Sequence, residues 1–207
     1  MLDVTAMLRP FWKNQEPRNG LPAGAYVDQE FWEVECQSVF TRNWICIGFA
    51  HEVKKRGEAK PVDFAGHPLL VVRNRQSQIK VFHNVCRHRC IQLVNEHRGV
   101  GNLIRCPYHA WVYDLDGNLR AAPHFGGANM HIAEGMDRSQ TGLMEVRSYV
   151  WNDWIFVNID GTAPPFEDYA ASMFRRLDGV DWDKVETIAT LDFGEVACNW
   201  KFIKEDF

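Results

Sequence analysis

Apolar residues recur along this chain with two different periods. Over residues 29–40 they fall at Phe31, Trp32, Val34, Val39 and Phe40, a spacing that gathers them on one helix face, and Asp28 stands at the N-cap position. The pattern then shortens to runs of strand length. Residues 44–50 predict one strand, and residues 68–73 and 78–82 predict a pair around Asn74-Arg75-Gln76-Ser77. Residues 111–115 and 118–121 flank Asp116-Gly117, a strong short-range hairpin signal. Residues 145–151 and 154–159 predict another hairpin around Asn152-Asp153. Pro164-Pro165 opens a helix to about residue 177, with Glu167 and Asp168 in its first turn, Arg175 and Arg176 in its last, and Gly179 just beyond. A last strand is predicted over 187–200. Residues 1–22, with Pro, Gly, Asn and scattered charge, read as an extended arm, and 123–142 as a long loop. The chain is therefore mainly β with two peripheral helices.

Composition narrows the function classes. The chain has 207 residues, enough for one large or two modest domains. A net charge of −4 argues against nucleic-acid binding through a basic surface. Residues 1–20 lack the apolar core of a signal peptide, and no apolar run approaches a membrane span. A cytoplasmic location is expected, so the six cysteines read as ligands and free thiols rather than disulfides.

Two short motifs carry the chemistry. Cys86-Arg87-His88 lies at the end of the second strand of the first pair, and Cys106-Pro107-Tyr108-His109 stands just before the 111–121 hairpin. Two thiolates on one iron and two imidazoles on the other make a Rieske [2Fe–2S] site. Replacing two thiolates by neutral imidazoles lifts the oxidised core from a dianion to formal neutrality. The potential then rises from about −400 mV, the plant-type value, into a range of roughly −150 to +300 mV. Two Cys and two His also suit structural zinc. Zinc fingers, however, begin with paired Cys and close with paired His, whereas here each loop supplies one of each.

Cys86-Arg87-His88-Arg89, Cys106-Pro107-Tyr108-His109-Ala110-Trp111 and Tyr113-Asp114-Leu115-Asp116-Gly117 closely resemble the α subunit of Rieske non-haem iron oxygenases. Ala25-Tyr26-Val27-Asp28, Asn43-Trp44, Trp154-Ile155-Phe156-Val157-Asn158-Ile159 and Asn199-Trp200-Lys201 extend the resemblance over nearly the whole chain. It implies an antiparallel Rieske-type β domain with two small sheets and its ligand loops at one end, preceded by an N-terminal helical arm. The start of an α+β catalytic domain would follow. The implied segments are 1–43, 44–160 and 161–207. Cys86, His88, Cys106 and His109 are the implied cluster ligands.

The implied function is electron relay from a ferredoxin or flavin reductase to a mononuclear Fe(II) for O2-dependent hydroxylation by a mono- or dioxygenase. The family works as a homotrimer, with His109 then facing a subunit boundary. A stand-alone ferredoxin-like electron carrier is the alternative. The N-terminal arm and Asn199-Trp200-Lys201 favour the oxygenase reading.

The chain also departs from the family. Cys90 stands where the family usually has Gly. Respiratory-type Rieske proteins place a disulfide-forming Cys in each loop, but here the second position is Tyr108, so a high-potential respiratory type is not implied. Cys90 reads as a small buried thiol. No His follows His131, so the 2-His-1-carboxylate iron site of the family has no candidate ligands in these residues, and the chain is expected to relay electrons without hydroxylating. Trp111 is expected to pack over the cluster and exclude water. Arg87 and Arg89 read as solvated or as pairing with a partner's carboxylates. His83, His97, His124 and His131 belong to neither motif.

Overall fold

The computed structural model describes residues 3–13, 20–128, 130, 136–137, 140–192 and 194–205. The chain divides into two compact units, Met1–Thr41 with Met173–Phe207, and Arg42–Ser172. Residues 164–172 join the second unit because Trp44 Nε1 donates to the Pro164 carbonyl at 2.9 Å and its ring meets Phe166 edge-on at 5.4 Å.

In the first unit α1 spans Val4–Lys13, α2 Gly24–Val27 and α3 Gln29–Glu35. The expected extended arm is thus partly helical, because Val4, Met7, Leu8 and Phe11 recur at helical spacing and Asp3 Oδ1 accepts from the Ala6 N–H. Asp28 caps α3 as anticipated, accepting from the N–H groups of Glu30 and Phe31. A π turn over Cys36–Phe40 continues the helix, so the expected 29–40 helix is present with a wider last turn.

Among its described residues the second unit holds ten strands. β1 is Ile45–Phe49, β2 Glu58–Phe64, β3 His67–Arg73, β4 Ile79–His83, β5 Arg98–Gly99, β6 Leu103–Arg105, β7 Val112–Asp114, β8 Leu119–Ala121, β9 Arg147–Trp151 and β10 Trp154–Asn158. They form three antiparallel sheets, β1-β10-β9, β4-β3-β2-β5 and β6-β7-β8, rather than the two expected. The division has a sequence cause. Leu69-Leu70-Val71-Val72 in β3 is apolar at every position, the mark of a strand covered on both faces. Leu70 and Val72 face a core with Phe82, Ile104, Tyr113 and Leu119, while Leu69 and Val71 face another with Val81, Val146, Ile155 and Val157. The β4-β3-β2-β5 sheet is therefore the middle layer. Each fully buried Leu or Val contributes about 1.5–3 kcal/mol, which makes β3 the strand the unit can least lose. β2, β5 and the pairing of β6 were not legible from the hydrophobic pattern.

The β7–β8 hairpin closes as its sequence predicts. Asp114 Oδ1 accepts from the N–H groups of Asp116 and Asn118, and Gly117 takes φ +84°. A Cβ at Gly117 would lie 2.6 Å from the Phe82 ring, so the position needs glycine for space as well as conformation.

Two further expectations need correction. The helix after Pro165 is broken at Ala170 into α4, Phe166–Tyr169, and α5, Ala171–Arg176. The strand expected over 187–200 does not form. A strand needs a neighbouring edge, and the segment has none among the described residues; Ile188 is 98% and Leu191 75% exposed. Helix α6, Trp200–Glu205, follows instead. There Lys201 Nζ meets both Glu35 carboxylate oxygens at 2.7 and 2.8 Å, and Trp200 Nε1 donates to Glu35 at 3.2 Å. No helix among the described residues is long and apolar enough to cross a membrane.

Candidate metal centre

The middle sheet and the β6-β7-β8 sheet each end in one ligand loop. The first loop leaves β4 and runs from Cys86 to Ile91, closed by the Cys86 N–H donating to the Ile91 carbonyl at 2.8 Å. The second joins β6 to β7 and is closed by the Cys106 N–H donating to the Trp111 carbonyl at 2.8 Å. Each has a left-handed residue just before its closing carbonyl, Cys90 at φ +52° and Ala110 at φ +56°. That conformation costs a side-chain-bearing residue roughly 1–2 kcal/mol, which explains the Gly that the family usually has where this chain has Cys90. Cys90 is exposed rather than buried as expected, because the turn aims it outward.

The loops bring together the four predicted residues. Cys86 and Cys106 are 1% and 3% exposed and belong to the same buried core. The His88 and His109 rings lie 4.7 Å apart, centroid to centroid. Both Nδ1 atoms are buried without a hydrogen-bond partner. Buried polar atoms rarely stay unpaired, and an imidazole nitrogen with a free lone pair is a metal ligand. Among the described residues no three His, Cys, Asp or Glu side chains converge on a single ion position. The four donors are two thiols and two imidazoles, the set that a Rieske cluster takes with one pair on each iron. The residues present fit the group.

Electrostatics act in opposite senses on His88 and Cys86, favouring the metal-binding form of the imidazole and opposing that of the thiol. Burial, followed by the charges of His109 and Arg89, lowers the His88 pKa and favours the neutral, ligating imidazole. Burial raises the Cys86 pKa, opposed by hydrogen bonds from Tyr113 and the His88 backbone. The Tyr113 hydroxyl lies 3.3 Å from Cys86 Sγ and accepts the Arg87 N–H at 3.1 Å. Burial raises the phenol pKa, so Tyr113 keeps its proton and can donate it to Cys86 Sγ.

Sequence reasoning missed Asn84, which is fully buried and braces the first loop. Its Nδ2 donates to the Val94 carbonyl at 2.6 Å, and its Oδ1 accepts from the N–H groups of Leu93 and Val94. The signal was a polar residue inside an apolar strand end. It also missed the role of Tyr113, whose partner lies in the other loop. Trp111 is 2% exposed and lies flat on His88 at 4.9 Å and 3°, as the water-excluding reading requires. Arg87 is held within the chain, donating to Met144 Sδ and the Gln140 carbonyl, while Arg89 is exposed. His83 packs near His67 with ring centroids 6.4 Å apart, His97 and His124 are exposed, and His131 lies outside the described residues.

Comparison with known proteins agrees with this geometry. The Rieske [2Fe-2S] domain family matches residues 43–146. The chain belongs to that family, and its cofactor is the Rieske cluster. It is also homologous to Rieske oxygenase α subunits. It is 30% identical over 186 residues to the glycine betaine monooxygenase oxygenase subunit of Pseudomonas aeruginosa, a match covering 90% of this chain and 42% of that one. It is 31% identical over 188 residues to the biphenyl dioxygenase α subunit of Paraburkholderia xenovorans, covering 88% and 41%. A solved quaternary ammonium Rieske monooxygenase, described with carnitine oxidation by gut microbiota and inter-subunit electron transfer, superposes with a TM-score of 0.67 at 28% identity, covering 75% of this chain and 41% of that one. The chain thus spans about four-tenths of the length of these relatives.

Proposed function

We propose that this chain is the electron-transfer portion of a Rieske oxygenase α subunit, with Cys86 and Cys106 on one iron and His88 and His109 on the other. The observation that carries the reading is the pair of facing imidazoles with buried, unpartnered Nδ1 atoms, set beside two buried thiols. The cluster supplies one-electron transfer when bound. The protein residues hold and tune it. Cys86 and Cys106 bring the negative charge from inside the core, Tyr113 donates its hydroxyl proton towards Cys86 Sγ, and Trp111 keeps water from His88. His109 is only half-buried, so its ring edge stays near the surface for an electron to cross.

Electrons enter from a ferredoxin or flavin reductase in the cytoplasm and leave for a mononuclear non-haem iron in a neighbouring subunit of a homotrimer. The oxygenase relatives support this over a free-standing ferredoxin-like carrier.

Analysis of the purified chain tests this. Iron and acid-labile sulfide are expected in equal amounts, with a Rieske-type electron paramagnetic resonance signal on reduction. His88→Cys is expected to lower the potential by restoring a thiolate charge. Stoichiometric zinc without sulfide would overturn the proposal.

A further inference from the structure

Three buried side-chain nitrogen or oxygen atoms have no hydrogen-bond partner among the described residues: His88 Nδ1, His109 Nδ1 and Trp111 Nε1. The proposed ligand role accounts for the two imidazoles. It does not account for the third, because an indole Nε1–H can only donate and cannot ligate a metal. Left unpaired at this burial it costs about 1–3 kcal/mol.

The position of the ring narrows what it can meet. It lies flat on His88 at 4.9 Å, beside a candidate ligand. Its backbone carbonyl is engaged by the Cys106 N–H, which ties it to the second ligand loop. Phe125 stands at 88° to it with ring centroids 5.3 Å apart. A ring face is only a second-order acceptor. The strong acceptors that this enclosed site gains on loading are sulfurs.

We propose that Trp111 Nε1–H donates a hydrogen bond to a sulfur of the [2Fe–2S] cluster. Trp111 is then a fixed donor as well as a water shield. A donor at sulfur favours the more negative, reduced state, so Trp111 raises the potential. The inference rests on the function proposed above.

The test uses the loaded chain with 15N placed in the indole of tryptophan. In the reduced protein, pulsed electron paramagnetic resonance should show a 15N coupling that disappears in labelled Trp111→Phe. The same variant keeps a ring on His88 and should have a lower midpoint potential. A potential that falls with no 15N coupling in the wild type overturns the proposal in favour of water exclusion alone, and an unchanged potential with no coupling also overturns it. If Trp111→Phe does not fold, the labelled wild type decides: coupling supports the bond and its absence refutes it. A chain with no iron and no sulfide refutes the underlying function and this inference with it, which separates the two failures.

Discussion

The loop from Cys86 to Ile91 and the loop from Cys106 to Trp111 have the same closing bond and the same left-handed residue, yet they are held by different means. β6 and β7 pair directly beneath the second loop, with Arg105 opposite Val112, so a backbone ladder carries its shape. The first loop returns through Leu93 and Val94, outside any named strand, and is fastened by the Asn84 side chain. One ligand pair therefore rests on sheet pairing, which many side chains can satisfy. The other rests on one isolated β-bridge, Val85 to Gln92, and on a single side-chain amide, for which few substitutes exist.

The sharpest way to break this comparison is Asn84→Ala. It strands two buried N–H groups, at about 1–3 kcal/mol for each, while the Val94 carbonyl keeps Gln92 Nε2 at 3.1 Å. A large drop in the urea midpoint and in iron content is expected. Arg105→Ala beside the second loop should change the unfolding free energy by no more than about 0.5 kcal/mol, since that residue is exposed and its strand pairing uses backbone. Equal losses from the two variants would show that the loops do not differ in support.

A smaller effect is expected where the loops meet. Tyr113 comes from β7, after the second loop, but its hydroxyl serves Cys86 in the first. Tyr113→Phe removes the donor and keeps the ring. The midpoint potential should fall on the order of 50 mV, the equivalent of about 1 kcal/mol for a one-electron couple. Protein-film voltammetry reads this directly, and an unchanged potential would mean that the bond does not distinguish the two redox states.

The smallest effect sharpens the likeness. Cys90→Gly and Ala110→Gly each relieve a positive φ, and each should stabilise the loaded protein by at most about 1 kcal/mol after glycine's own entropy cost. Comparable gains in urea unfolding are expected from the two. A gain at one position only would show that the loops are not strained alike.

Features governed by neighbours in the chain were legible in the amino-acid order. Asp28 marks a helix start because its carboxylate reaches N–H groups two and three residues on. Asp116-Gly117 marks a hairpin because the turn needs a positive φ there. The Cys-to-His spacings identify the ligand quartet because each loop is a short local turn. The apolar run in β3 even implies cover on both faces. Tertiary structure decided what covers them. The partition into three sheets, the reach of Tyr113 to Cys86 and the burial of Lys201 against Glu35 join residues far apart in the chain, where no local period carries information. The segment 187–200 makes the same point from the other side. Its residues favour a strand, but backbone groups become a strand only against a second edge, and the residues described here do not supply one.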